Sequence, residues 1–507
     1  MHTSRFKNNA AVCRVHATLA ICLLFCFGTP AIGQSPPDEQ LGSTLTAEQF
    51  LNPTPSVKTS VFHVLRAAPA MEPKPALKIR FTPTQQETRP GSAMLHFSRA
   101  LVILNQISGD LRKRVDSATA ESPASKEDLK ALVAAATHLF HELHLLGLSE
   151  DQSWDHRLRD LNGTERWTFL LPEVQEGRSL ARLLQHRVEV ELEQKNVAGA
   201  VEAVQDGFRL STFMAQGETV IQQLVSLAIE TMMMEATEKI IAEPHSDNFY
   251  WAIASLRDPQ PNMRRAFELE LYAIKTTFQP LLDAKTLSGD EEFWQKKVLE
   301  MQDAFRQLSG DSSIGLNLSL AVISSAPSAK EKLIAQGYKA EMLDQKPRTQ
   351  LTLLQAGYEI DFWCDEINKE FFLPADFVRN ADDFASRRLD KWMQANRHSS
   401  VSAVVMSLLV PSFEGIGRSL RLNQVRRERL LIVEALRHYA ATHDGKLPQS
   451  LAQLTQLPAP TSSPFGKPWE YEVTDSNAVQ AADISLEQID VPNLRRLRLI
   501  METPAAK

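Results

Sequence analysis

Three histidines, His138, His141 and His144, recur every third residue within one apolar stretch, and Glu142 stands beside the middle one. Imidazoles three apart share a helix face, so each neighbouring pair has the spacing of a two-histidine metal site. The outer pair, six residues apart, diverge by about 120° around the helix. The zincin pattern is not met, because His141-Glu142 requires a histidine at position 145 and Leu145 stands there. The expected role is therefore a helix surface or satisfied polar contacts. Glu189, Glu191 and Glu193 alternate along one helix and do not share a face, which predicts a solvated surface. Asn248-Phe249-Tyr250-Trp251 could anchor a ligand, but reads first as a helix start packed into the core. Met232-Met233-Met234 reads as core packing. Arg426-Arg427-Glu428-Arg429 is expected on an exposed face, with docking onto upstream acidic helices as the alternative.

Several chemistries have no motif here. There is no G-x-S-x-G elbow, no Walker A loop and no H-E-x-x-H. Gly415-Ile416-Gly417 fails the dinucleotide fingerprint, since Leu420 occupies the third glycine position. The sequence thus assigns no catalytic, cofactor-binding or metal-ligating residue, and no cofactor.

The elements that must position these groups begin with an export signal. Arg5, Lys7 and Arg14 precede the apolar run 17–28, Pro30 and the small-residue site Ala31-Ile32-Gly33. Residues 1–33 are expected to be a signal peptide cleaved before Gln34, sending the protein to the periplasm or the extracellular space. Two alternatives are an uncleaved signal acting as an anchor and lipidation at Cys26, the latter disfavoured because bulky Phe25 stands where a small residue is normally needed. Cleavage removes three basic and no acidic side chains, leaving 52 Lys and Arg against 62 Asp and Glu, a net charge of −10. Such a chain lacks the basic footprint of nucleic-acid binding. It also removes Cys13, Cys22 and Cys26, so Cys364 has no partner within the chain and is expected to be a buried, inert thiol. No later segment reaches the roughly 18–20 apolar residues that span a bilayer.

Glycine is scarce, and Ala, Leu, Glu and Gln are abundant, which favours helix. The expected fold is mainly α: a helical domain with a repeat-like hairpin, then a small α+β C-terminal module. Residues 34–91 are proline-rich and read as a linker or an extended wrap. Residues 92–397 read as the helical domain. Its first segment is marked by Leu95, Leu101, Leu104 and Ile107, and its second starts at a Ser125–Asp128 cap and runs to about Leu146, where Gly147 can end it. Residues 184–210 resemble a tetratricopeptide-type hairpin, with Asn196 at the turn and Ala200 and Gly207 allowing close helix approach. A less regular segment is expected near 310–328. Residues 398–507 contain a long helix ending at Asp444-Gly445, then strands near 469–473 and 494–501 that are expected to pair.

The stretch Asp444-Gly445-Lys446-Leu447-Pro448 followed by Ser463-Pro464-Phe465-Gly466-Lys467-Pro468-Trp469-Glu470-Tyr471 resembles the globular part of type II secretion pseudopilins. That resemblance implies a long helix leading through a turn into a small sheet. Ser463 stands where the family usually has an aspartate linked to calcium in some members. The whole chain also resembles a group of exported planctomycete proteins, through Leu170–Gln175, Gly207–Leu210, Asn248–Ala252 and the tail. This second resemblance implies architecture and no activity. The expected function is a non-enzymatic interaction or scaffold protein of the periplasm or cell envelope, acting on protein partners. The alternatives are an exported metal-dependent hydrolase using His138 and His141, or an accessory of a secretion or pilus-like apparatus.

Overall fold

The structure, a computed structural model, describes residues 62–116, 124–154, 158–161, 165, 172–309, 312–372, 385–407, 410–476, 479–486 and 492–502. Residues 1–61, which include the expected signal peptide and the first part of the proline-rich segment, lie outside the described residues. In chain order the first elements are β1 (His63–Ala67), β2 (Arg89–Ser92), α1 (Ala93–Gln106), α2 (Gly109–Asp116), α3 (Lys126–Ala135), α4 (Thr137–Leu148) and β3 (Ser149–Asp151). Then come α5 (Pro172–Glu193), α6 (Val197–Met214), α7 (Val220–Ile241), α8 (Tyr250–Ala254), α9 (Gln260–Thr277), α10 (Gln279–Thr286), α11 (Glu291–Ser309) and α12 (Ser312–Ala335). The last are α13 (Ala340–Asp344), α14 (Arg348–Asn368), α15 (Ala385–Asn396), α16 (Val401–Met406), α17 (Val410–Thr442), β4 (Glu470–Ser476), β5 (Val479–Ser485), α18 (Pro492–Arg495) and β6 (Arg496–Met501). The fold is mainly α with a small C-terminal sheet.

Two hydrophobic cores organise these elements. The first joins α1 and α3–α8 to the second half of α17 and the sheet, through residues such as Phe97, Leu184, Phe208, Leu436 and Leu497. The second joins α9–α16 to the start of α17. Two long helices run through both: α7 gives Val220 and Leu224 to the second core and Ile229 and Met233 to the first. In the same way α17 gives Ile416 and Leu420 to the second and Leu422 and Val425 to the first. The second core therefore draws on residues on both sides of position 397, and the C-terminal strands close the first core.

The sheet runs β1-β6-β5-β4, with β1 parallel to β6 and the other pairs antiparallel. The two strands expected to pair are separated by β5, whose sequence, VQAADIS, carries too little alternation to announce itself. β1 comes from the proline-rich segment, which continues as a wrap held by long-range contacts. Ala70 N–H donates to the Arg437 carbonyl (3.1 Å), Glu72 accepts from the Trp251 indole (2.9 Å), and Phe81 stacks on Phe208 at 4.6 Å.

Local chemistry explains several helix ends. Ser125 accepts from the Asp128 N–H, and Thr219 and Gln222 form a reciprocal capping box on α7. Asp444 and Gly445 take positive φ (55° and 79°), and Gly445 N–H returns to the Ala440 carbonyl at 2.8 Å. Other expectations are corrected. On α1 the buried stripe is Ala93, Phe97, Ala100 and Leu104, while Leu95 is exposed. The segment near 310–328 is largely the helix α12. The expected single helix from Ser125 to Leu146 is two, α3 and α4, bent by 57°. Gly147 does not end it: the helix continues to Leu148, and an added Cβ on Gly147 would sit 2.4 Å from Arg209 Cδ. Gly207 does allow close approach, but of Met233 on α7 rather than of its hairpin partner α5.

Two groups on helices of the second core, the buried Cys364 and the half-buried Glu270, carry testable consequences. Cys364 is buried, and desolvation pushes its thiol up to about 12. Thiolate is the reactive form, so the native chain beginning at Gln34 should show no thiol reactive to Ellman's reagent, and one equivalent in denaturant. Glu270 on α9 accepts the Val220 N–H at 3.0 Å, and burial pushes its carboxyl up to about 7 from 4.5. A raised carboxyl pKa means the folded state holds its proton longer than the unfolded chain. Stability therefore falls as pH rises from about 4.5 to about 7 and levels off above. Glu270→Gln keeps the acceptor and removes that cost. Urea unfolding should show a gain of about 1–2 kcal/mol at pH 8 and none at pH 4.

Candidate functional site

The bend between α3 and α4 opens a cleft against the hairpin α5–α6. Its volume is about 550 Å³, and it is lined by Lys130, Val133 and Ala134 of α3, Phe140, His141 and His144 of α4, Arg187, Val190 and Glu191 of α5, and Glu202 of α6. The spacing on each wall is helical, three or four residues at a time, so each helix gives the cleft one face. The hairpin itself turns at Asn196, which caps α6 by accepting the Gly199 N–H and holds Glu191 through its amide at 2.7 Å.

A buried charge lies behind the cleft lining. Asp206 on α6 is fully buried, and its Oδ1 accepts from His144 Nδ1 at 3.0 Å and from Arg209 Nη1 at 3.4 Å. Its Oδ2 makes no hydrogen bond; the Arg187 guanidinium is its neighbour at 3.7 Å. Arg187 also lies 3.5 Å from Glu202 and 3.7 Å from Glu191, with its plane 5.3 Å from the Phe140 ring. Desolvation pushes the Asp206 carboxyl above its usual range, against the pull of His144 and the Arg209 charge. The hydrogen bond to Asp206 raises the His144 imidazole, against the desolvation that lowers it. His144, Glu202 and Asp206 place one ligand atom each within 4.8 Å of one another.

The three histidines of the series separate. His138 is exposed, His141 is exposed on the cleft lip, and His144 reaches the buried carboxylate. Glu142 instead meets His96 of α1 at 2.7 Å. Glu189 pairs with Lys239 of α7 and Glu193 with Lys126 of α3, joining neighbouring helices, while Glu191 meets Asn196 of the turn and Arg187 of its own helix. Asn248–Trp251 is structural: Asn248 donates to the Ala70 and Glu434 carbonyls, and Tyr250 donates to the Pro458 carbonyl at 2.6 Å. Met233 and Met234 are buried.

The arginine cluster overturns its leading expectation. Arg429 is buried against Glu238 at 2.7 Å, and Arg427 donates to the Ala254 carbonyl at 2.8 Å. Acidic residues on α7 draw the cluster inward. The sequence did not single out Arg187, Glu202, Asp206 or Lys130. A signal for Asp206 exists: it is the one carboxylate among Ala200, Ala203, Val204, Gly207 and Phe208, all buried on α6.

A smaller hollow of about 260 Å³ lies beside the end of α17, near His438, Tyr439 and Gln456. Both ring nitrogens of His438 are engaged there, Nδ1 accepting the Glu72 N–H (3.0 Å) and Nε2 meeting Gln456 Oε1 (2.7 Å). That histidine is a structural joint. Comparison with protein-family models, with curated proteins and with solved structures found no match.

Proposed function

We propose that this is an exported protein-interaction protein of the periplasm or cell envelope, in which the α3–α4/α5–α6 cleft docks a segment of a protein partner. The observation that carries the reading is the make-up of the cleft. Apolar Val133, Ala134, Phe140 and Val190 are framed by Lys130, His141 and Arg187 on one side of the charge balance and Glu191 and Glu202 on the other. A guest with one or two apolar side chains and flanking charges of both signs suits such a lining. The signal-like residues 1–33 support export. The hydrolase alternative has less support, since His138 and His141 are both exposed and the carboxylates gather at His144.

The test is site-specific photo-crosslinking in an envelope fraction. A benzophenone side chain at Ala134 should give one dominant adduct, and the same group at Val102, exposed on α1, should not. Equal labelling from both positions would count against the cleft. One observation favours the apparatus reading as a second choice: α17 passes through the Asp444-Gly445 turn into the antiparallel strands β4–β6, the order of the pseudopilin globular part. That reading expects secretion genes beside this one, and their consistent absence would remove it.

A further inference from the structure

We propose that His144 and Glu202, which line the cleft, and the buried Asp206 beside them form a binding site for a divalent transition-metal ion. The inference concerns the same cleft as the docking reading, but does not require a peptide guest. Glu202 and Asp206 are four residues apart on α6 and share one face, while His144 comes from α4. His144 Nδ1 stands 3.0 Å from Asp206 Oδ1 and 4.0 Å from Glu202 Oε1. Bonds of about 2.0–2.2 Å to a tetrahedral ion set ligand atoms about 3.3 Å apart, so these separations straddle the required value. All three ligand atoms lie within 4.8 Å of one another, so modest shifts complete the site, and His144 and Glu202 reach it from the cleft lining.

A second observation is the open oxygen of a carboxylate whose other oxygen already meets His144 and Arg209. Asp206 is fully buried, yet its Oδ2 accepts no hydrogen bond. Buried carboxylate oxygens are normally satisfied, and one left open is a place for an ion or a water. Arg187 partly fills the role, but at 3.7 Å from Oδ2 it is an ion-pair neighbour rather than a hydrogen-bond donor. An entering ion would displace the guanidinium toward Glu191 and the Phe140 ring, both already beside it. Coordination through Nδ1 also requires the imidazole to carry its proton on Nε2. One imidazole and two carboxylates with no thiolate suit zinc, manganese or iron(II) more than a soft monovalent ion.

The experiment uses the chain beginning at Gln34, freed of metal by a chelator and titrated with zinc chloride by calorimetry, with metal content measured after dialysis. One equivalent should bind in the micromolar range or tighter. Glu202→Gln, at a partly exposed position, should weaken binding at least tenfold, as should His144→Gln. Arg187→Gln should strengthen it, because the competing cation is gone. The proposal is overturned if neither the unaltered chain nor Arg187→Gln binds zinc stoichiometrically. It is also overturned if binding survives Glu202→Gln and His144→Gln but is lost in His138→Gln or His141→Gln, which would place the ion on the exposed helix face. Crosslinking from Ala134 in zinc-free protein reports on the docking reading separately.

Discussion

Replacing Arg437 with methionine should remove about 3–5 kcal/mol of stability, the cost expected when one member of a buried ion pair is deleted. Arg437 and Glu434 are both fully buried on α17 and meet at 2.9 Å. The guanidinium also donates to the Ala68, Ser246 and Asp247 carbonyls (2.9, 3.0 and 3.2 Å) and to Ser246 Oγ (2.7 Å). One side chain thus holds the wrap, the turn after α7 and the returning helix together. Methionine fills much of the volume but leaves the Glu434 carboxyl buried without its ion-pair partner, where burial already pushes it above its usual range. The double variant Arg437→Met/Glu434→Leu should recover at least half of the loss, because the stranded carboxylate is gone. Denaturant unfolding followed by circular dichroism reads both. A loss below about 1 kcal/mol in the single variant would mean that the network is not holding these segments.

Phe81→Ala is expected to cost a similar amount, about 3–5 kcal/mol, as for other fully buried phenylalanines. Phe81 belongs to the proline-rich segment, yet it is 1% exposed and stacks on Phe208 at 4.6 Å and Phe249 at 6.2 Å. If residues 62–92 were only a linker, the substitution would be close to neutral. Amide exchange separates the two cases. The folded variant should show loss of protection concentrated in β1, its partner β6 and the end of α6, while the second core keeps its protection.

What could be read from the sequence follows from the range of the forces involved. The caps at Ser125 and the Asp444-Gly445 turn are local hydrogen-bond chemistry and were legible. The hairpin at Asn196 was legible for the same reason. Gly147 resembles a helix stop in sequence, but its role is set by Arg209, 62 residues away, rather than by its own helix end. The arginines at 426–429 look solvated in isolation, and only the acids of α7 across the core draw them inside. The strand β1 could not be read because its partner β6 lies more than 400 residues later. At the site, the histidine series was visible, but the choice of His144 over His138 and His141 depends on Asp206, a residue of another helix. Long-range pairing leaves little trace in local pattern.

The most direct test of the docking reading is calorimetry with a peptide selected from a random display library against the chain beginning at Gln34. Ala134 lies on the lip of the cleft, and Ala134→Trp sets an indole where a guest side chain would go. Selection should yield peptides that carry an apolar residue between opposite charges. They should bind the unaltered chain with micromolar affinity and the folded Ala134→Trp variant at least tenfold more weakly. Peptides that bind both proteins equally, or a selection that enriches nothing, would contradict the account.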